Sequence, residues 1–392
     1  LKPGQTLQQV LQQGGLENHE NPFTASVLTR LRDCRTPGMG YHRFQCDNPA
    51  CHHVHYQYHG CRNRHCPACN WQKQEEWMEA RMNELLPVRY FHVVFTLPHE
   101  LNALVMGNRV KLFKLLFDSA SHCLLTLSGD PKWLGAVPSI SAVLHTWGQQ
   151  LSFHPHVHCI VSGGGVDKQL NWVSLKKDTH QGYLFPYAVM EPMFKKHFLR
   201  NLNRMVLDRE VKIENVQQWK ALKPQLYQKQ WVVYAKPPMG SVSQVVEYLS
   251  RYAHKVAISN HRILEVGDQT VKFQYKDYSD HNKVKQMTLP TGEFIRRFSQ
   301  HILPRGFVKM RHYGILGNSG RKKRVNDILR KMQLPLHPPT VKIPYQLRLL
   351  EKYGIDVTIC PKCSQGRLTL IEKVYPGNRG SPFYFINQAD ME

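Results

Sequence analysis

Six of the ten cysteines fall between residues 34 and 69, in a stretch with little helical periodicity. Such a segment has few ways to fold unless its thiols are cross-linked by a metal. Cys46-x4-Cys51 and Cys66-x2-Cys69 are two close pairs. At that spacing short knuckle loops turn two thiolates toward one ion, and two knuckles close a tetrahedral zinc site. The chain starts without an apolar leader, which favours metal over disulfides. Cys34-x7-His42 and Cys61-x3-His65 are left over. If pairs one and three share one ion, and two and four another, the module is cross-braced around two zincs. The alternative is a single zinc, with Cys34 and Cys61 as small apolar residues and both histidines solvated. His52, His53, His55 and His59 are rival ligands. Four protein ligands leave no open position, so zinc here is structural. Arg62, Asn63 and Arg64 lie between the knuckles, placed to contact phosphates. Cys360-x2-Cys363 is half a zinc ribbon with no second pair nearby in sequence, and its metal status stays open. Cys123 and Cys159 read as buried apolar residues.

Charge narrows the partner. Fifty-two Lys and Arg against twenty-nine Asp and Glu give +23, a field that draws polyanions. A merely basic protein is the bland alternative. No apolar run approaches the roughly 20 residues that span a bilayer, so a cytoplasmic setting without a membrane partner is expected.

The rest of the chain alternates strands and helices. RYFHVVFTLP, WVVYAKPP and the hairpin candidates SISAVLHTWGQQ and HPHVHCIVSGG read as strands. WQKQEEWMEARMNELL, the apolar stretch before residue 130, MEPMFKKHFLRNLNRMVLD and SVSQVVEYLSRYAHKVAIS read as helices. RILEVGDQTVKFQYKDY reads as a hairpin around Gly267 and Asp268. The pattern predicts an α+β fold around a mixed or antiparallel sheet. Three regions are expected: residues 1–82 with the zinc module, 83–320 as the main domain, and a basic 321–392 with a Pro-rich linker and a polar end.

Two features carry chemistry. On a strand, His154, His156 and His158 share one face, and neutral imidazoles two residues apart can hold one divalent ion. A polar strand face with satisfied histidines is the alternative, and Gly163 to Gly165 would let the chain turn out of the sheet. On a helix, Tyr248 and Tyr252 are four apart and can address one site. An aromatic core pair is the alternative, made less comfortable by Arg251, His254 and Lys255. A tyrosine hydroxyl attacks a phosphodiester when a metal neutralises the developing charge. The product is a phosphotyrosine that conserves the energy of the broken linkage.

CRTPGMGYH, CRNRHCPAC, FHVVFTLP, HTWGQQLSFHPHVHCIVSGGG, YLSRYAHKVAISNHRI and RHYGILGN occur in that order. In these the chain resembles the two-tyrosine rolling-circle transposases of the insertion-sequence-91 type, within the His-hydrophobic-His (HUH) endonucleases. Cys46-x4-Cys51 departs from the tighter pair of that pattern. The resemblance implies a ferredoxin-like endonuclease sheet and Mg²⁺ or Mn²⁺ on His156 and His158. A third ligand would come from Gln149, His145, His254 or His154. It implies Tyr248 and Tyr252 as nucleophiles that form a 5′-phosphotyrosine with single-stranded DNA. Transposon-end DNA, hairpins included, would be gripped by the zinc module, the basic tail, Arg62, Arg64, Arg251 and Lys255, on a bacterial nucleoid. A replication initiator or relaxase using the same chemistry, and a non-catalytic zinc protein that binds nucleic acid, are the alternatives.

Overall fold

The computed structural model describes residues 5–14, 21–69, 74, 75, 77, 78, 81, 84–175, 184–213, 215–239, 244, 245, 247, 248, 254–317, 320–338, 343–376 and 384–386. The chain enters through two capped helices. Thr6 closes a capping box with Gln9 at the start of α1 (Leu7–Gln13), and Asn21 caps α2 (Pro22–Arg32), whose first residue is proline. β1 (Tyr41–Cys46) and β2 (Val54–Tyr58) follow as an antiparallel pair.

The central sheet holds β3 (Tyr90–Thr96), β4 (Val137–Trp147), β5 (Phe153–Val166) and β7 (Val233–Met239), side by side in the order β4-β5-β3-β7. The short β6 (Trp172–Ser174) pairs with the end of β5, and β11 (Met310–Gly314) flanks β4. Helices α3 (Asn102–Gly107) and α4 (Arg109–Gly129) connect β3 to β4; α5 (Tyr187–Leu207) and α6 (Val216–Gln228) lie between β5 and β7. This chain order, with every pairing antiparallel, is the ferredoxin-like arrangement the resemblance implies.

Strand alternation sorts the two faces of this sheet. Phe91, Val93 and Phe95 of β3, Val157, Cys159 and Val161 of β5 and Ala142 and Leu144 of β4 share the face covered by α4 and α5. There Phe113, Phe117, Phe194 and Phe198 fill the core. Cys159 and Cys123 are fully buried in it, as the sequence suggests. The opposite face carries the histidines: Thr96 lies beside His156 and Val94 beside His158, while His145 of β4 faces His156. Gly163 to Gly165 do not lead the chain away, because β5 runs on through them to Val166. A Cβ on Gly165 would sit 2.5 Å from the Val137 carbonyl oxygen, so it is close approach of β4 that requires glycine.

A second layer stands on the first. β8 (Ile263–Val266) and β9 (Thr270–Asp277) form the hairpin read from sequence, and β10 (Lys283–Pro290) extends it to three strands. With α7 (Thr291–Ser299), α1 and α2 it encloses Leu7, Val10, Leu28, Phe273, Phe294 and Phe298. The helix expected over 241–259 is present at Gln244, Val245, Glu247 and Tyr248, but His254 to Ser259 are not helical. His254 and Lys255 therefore do not continue the tyrosine helix.

The basic run near residue 320 is α8 (Arg321–Lys331), an amphipathic helix that buries Val325, Ile328 and Leu329. After α9 (Tyr345–Tyr353) the supposed polar end forms β12 (Leu368–Tyr375) and β13 (Tyr384–Ile386). These strands join the N-terminal pair in one sheet, ordered β13-β12-β1-β2. The sequence gives no hint of this, because the pairing is between strands at opposite ends of the chain. Among the described residues no helix is long and apolar enough to cross a membrane.

Candidate active site and thiol clusters

The ligating atoms of His145, His156 and His158 lie within 4.8 Å of one another. The register explains why: His156 and His158 alternate along β5, and His145 is the cross-strand partner of His156. The ring of His145 stacks at 4.6 Å on Trp147, which fixes its plane. Nδ1 of His156 meets the carbonyl oxygen of His154 at 2.7 Å. That bond places the proton on Nδ1 and leaves Nε2 as the lone-pair donor, the usual support of a metal-ligating imidazole. Burial pushes the pKa of His156 down to about 3 and that of His158 well below the usual imidazole range. Three neutral imidazoles aimed at one point fit a divalent ion.

Of the other histidine candidates for a third ligand, neither His154 nor His254 joins the group. Gln149 donates to the Tyr278 hydroxyl at 3.0 Å, the His254 ring packs 5.7 Å from Trp77, and His154 is exposed.

His92, which sequence reading passed over, completes the arrangement. It sits on β3 with 2 % of its surface exposed. Its Nε2 lies 2.9 Å from Nδ1 of His158 and its Nδ1 lies 2.8 Å from the Tyr248 hydroxyl. Burial lowers its pKa to about 3, with Lys236 adding to the effect. A histidine inside the otherwise apolar run YFHVVFTLP, in phase with Val94 and Thr96, was the available signal. Were His158 to ligate through Nε2, its Nδ1–H would donate to His92 Nε2, and His92 Nδ1–H would donate to the tyrosine oxygen. Tyr252 and Arg251 lie outside the described residues.

Above the histidines opens a cavity of about 510 Å³, lined on its far side by Lys255, Arg262, Tyr275, Lys276 and Tyr278. Cations and the exposed ring of Tyr278 in one groove suit a single-stranded polyanion with stacking bases. Burial, then the neighbouring Arg262, lowers the pKa of Lys255. Arg64 is half-buried and donates from Nη1 to the Phe307 carbonyl at 2.7 Å. Arg62 takes a positive φ of 50° in the same loop.

The thiols group differently from the sequence pairing. Cys34, Cys61, Cys66 and Cys69 form one cluster, and Cys46, Cys51, Cys360 and Cys363 another. Cys46 and Cys51 are thus separated from Cys66 and Cys69. His42 and His65 belong to neither cluster. His42 packs 4.7 Å from the ring of His59. His65 is held by Asn63 through Nδ1 at 2.9 Å and accepts from the Leu303 amide at 3.2 Å. The physical reason is the fold: β1 carries Cys46 toward the C-terminal strands, while the end of α2 brings Cys34 over the CPAC turn.

In the first cluster Cys34 lies 3.4 Å from Cys69 and 3.7 Å from Cys66, and Cys61 lies 3.9 Å from Cys69. Sulfurs about 2.3 Å from a central zinc are separated by about 3.8 Å, so this set fits the ion. The Cys61 amide donates to Cys34 Sγ at 3.4 Å, and a Cβ on Gly60 would lie 2.8 Å from Cys69 Sγ. Sulfur contacts from neighbouring thiols lower the pKa of Cys34 to about 7.

Comparison with known proteins gives the family. Residues 140–324 match the family described as "Putative transposase", and residues 5–97 match "Transposase zinc-binding domain". "Putative transposase y4qJ" of Sinorhizobium fredii is 39% identical over 370 residues, covering 91% of this chain and 90% of that protein. This chain belongs to the insertion-sequence-91 transposase family. "Transposase for insertion sequence element IS801" of Pseudomonas savastanoi pv. phaseolicola is 27% identical over 361 residues, covering 90% of the transposase described here and 84% of the relative. No solved structure matches it. The first family match contains all three clustered histidines and Tyr248, and the second contains the whole first thiol cluster and His92.

Proposed function

We propose that this transposase nicks and rejoins single-stranded DNA at transposon ends through a 5′-phosphotyrosine intermediate. The observation that carries the reading is the continuous contact from the Tyr248 hydroxyl through His92 to His158 of the histidine cluster. A tyrosine placed this way is held at the edge of the cluster with its oxygen facing a hydrogen-bond donor. The reaction forms a bond between the tyrosine oxygen and phosphorus and breaks the bond from phosphorus to the 3′ oxygen. The phenolic proton ends on that oxygen, giving a free 3′-OH.

His145, His156 and His158 would hold a divalent ion, which supplies charge neutralisation at the scissile phosphate. An all-imidazole set suits Mn²⁺ better than Mg²⁺, which prefers oxygen ligands. His154 orients His156, and His92 orients His158. Lys255 and Lys276 would draw the strand into the groove, where Tyr278 offers a stacking surface. Tyr252 would serve as the second nucleophile, so that two strand ends can be held and exchanged. Cys34, Cys61, Cys66 and Cys69 would hold a structural zinc.

The test is covalent capture. The protein is incubated with labelled single-stranded oligonucleotides from the flanks of its own gene and Mn²⁺, and adducts resistant to denaturant are resolved by electrophoresis. A metal-dependent adduct is expected, lost in the double variant Tyr248→Phe/Tyr252→Phe and in His156→Ala. An adduct surviving both tyrosine replacements would overturn the nucleophile assignment. Metal-independent cleavage by His156→Ala would overturn the role of the histidines.

A further inference from the structure

The second thiol cluster is built from the two ends of the chain. Cys46 and Cys51 flank the turn between β1 and β2, while Cys360 and Cys363 lie on a turn just before β12. Only the first two fall within the segment matched as a transposase zinc-binding domain. Cys46 Sγ lies 3.7 Å from Cys363 Sγ, and Cys51 Sγ 3.9 Å from Cys360 Sγ, although 317 and 309 residues separate them. Disulfide-bonded sulfurs sit about 2.05 Å apart. Four thiolates around one zinc are spaced by about 3.8 Å. The observed spacings match the second figure.

The surroundings are shaped to the sulfurs. The Gly366 amide donates to Cys363 Sγ at 3.3 Å, and the Asn48 side-chain amide lies 3.9 Å from the same atom. A Cβ on Gly366 would lie 2.4 Å from Cys46 Sγ, so glycine leaves room for that sulfur. The two turns are also tied by backbone. The Asp47 amide donates to the Arg367 carbonyl at 3.0 Å, and the Arg367 amide donates to Asp47 Oδ1 at 2.7 Å. From this point the β1–β12 ladder starts, with Cys46 opposite Leu368.

We propose that Cys46, Cys51, Cys360 and Cys363 bind a second zinc ion, which fastens the C-terminal segment to the N-terminal module. Four thiolates favour zinc among available divalent ions and leave it no open coordination position, so its role is to hold, not to react. Neither cysteine pair can complete the tetrahedron alone. The ion therefore exists only when the two ends of the chain have met, and its binding energy becomes stability of the joined sheet. The same segment also touches the region after the first cluster: Lys352 Nζ and the Tyr353 hydroxyl reach Glu75 Oε1 at 2.6 and 2.7 Å.

The experiment measures metal content of the purified full chain by elemental mass spectrometry, with hydrogen exchange as a second readout. Two zincs per chain are expected for the two thiol clusters, and one for Cys360→Ser/Cys363→Ser. In that variant the amides of β1 and β12 should lose protection while those of β3 and β5 keep it. One zinc in the wild type, two in the variant, or iron in place of zinc would overturn the proposal. Should the variant not fold, zinc-edge X-ray absorption of the wild-type chain decides. An all-sulfur shell with two zincs is expected, and a chain with one overturns the proposal. Strand cleavage plays no part in these readouts, so a chain with two zincs and no DNA adduct would overturn only the catalytic reading.

Discussion

Replacing His92 by phenylalanine isolates the link between the histidine cluster and Tyr248. The phenyl ring fills nearly the same buried space on β3, so packing against Val94 and Ile160 is largely kept. What disappears is one contact of 2.9 Å to His158 Nδ1 and one of 2.8 Å to the Tyr248 hydroxyl. Each hydrogen bond contributes about 0.5–1.5 kcal/mol net, so stability should fall by about 1–3 kcal/mol. The larger effect is on the metal. Losing the partner that orients a ligating histidine typically weakens binding by about 10–100-fold, equivalent to about 1.4–2.7 kcal/mol. Calorimetric titration of the zinc-loaded chain with Mn²⁺ should show that rise in Kd, and adduct formation should need correspondingly more Mn²⁺. Zinc content should not change, because the thiol clusters are elsewhere. An Mn²⁺ affinity equal to wild type would show that His92 merely packs, and the proposed support of His158 would have to be abandoned.

Lys309 is half-buried and its pKa is pushed down to about 7, mainly by desolvation and secondarily by Arg64. Between about pH 7 and 10.5 the unfolded chain binds the extra proton, so the wild type gains stability as pH rises through that window, by up to about 1.4 kcal/mol per pH unit. Lys309→Met should flatten this slope in denaturant melts at several pH values; parallel curves would contradict the lowered pKa. Phe198 is fully buried, with Trp231 edge-on at 5.5 Å, and Phe198→Ala should cost about 3–5 kcal/mol in denaturant unfolding. A loss below about 1 kcal/mol would mean α5 is not packed there. At equal low concentration Mn²⁺ should support more adduct than Mg²⁺, as imidazole ligation favours the softer ion; the reverse order would point to oxygen ligands in the site.

Much of the catalytic half was readable because its signals are local. The period of two in HPHVH places three histidines on one face, and apolar runs bounded by proline and glycine mark β3, β4 and β5. His92 was not readable as a site residue, since its meaning comes from lying across the sheet from Ile160 and His158. The thiol pairing was misread for a related reason. Sequence offers pairs of ligands, but which pairs meet depends on where β1 and α2 carry them. The tyrosine helix was overextended because YLSRYAHKVAIS keeps a helical apolar spacing past the point where the described backbone has left the helix. β12 and β13 were missed because their partner, β1, is made from residues near the other end of the chain.

That sheet has a consequence for how the protein is made. During synthesis β1 emerges early with one edge bare, and its neighbour β12 does not exist until more than three hundred residues have followed. A nascent or prematurely terminated chain cannot complete the sheet that joins its ends. A chain that stops before residue 360 lacks Cys360, Cys363 and the strand that pairs with β1. The joined sheet works as a proof of full-length translation, written into the order in which the strands appear.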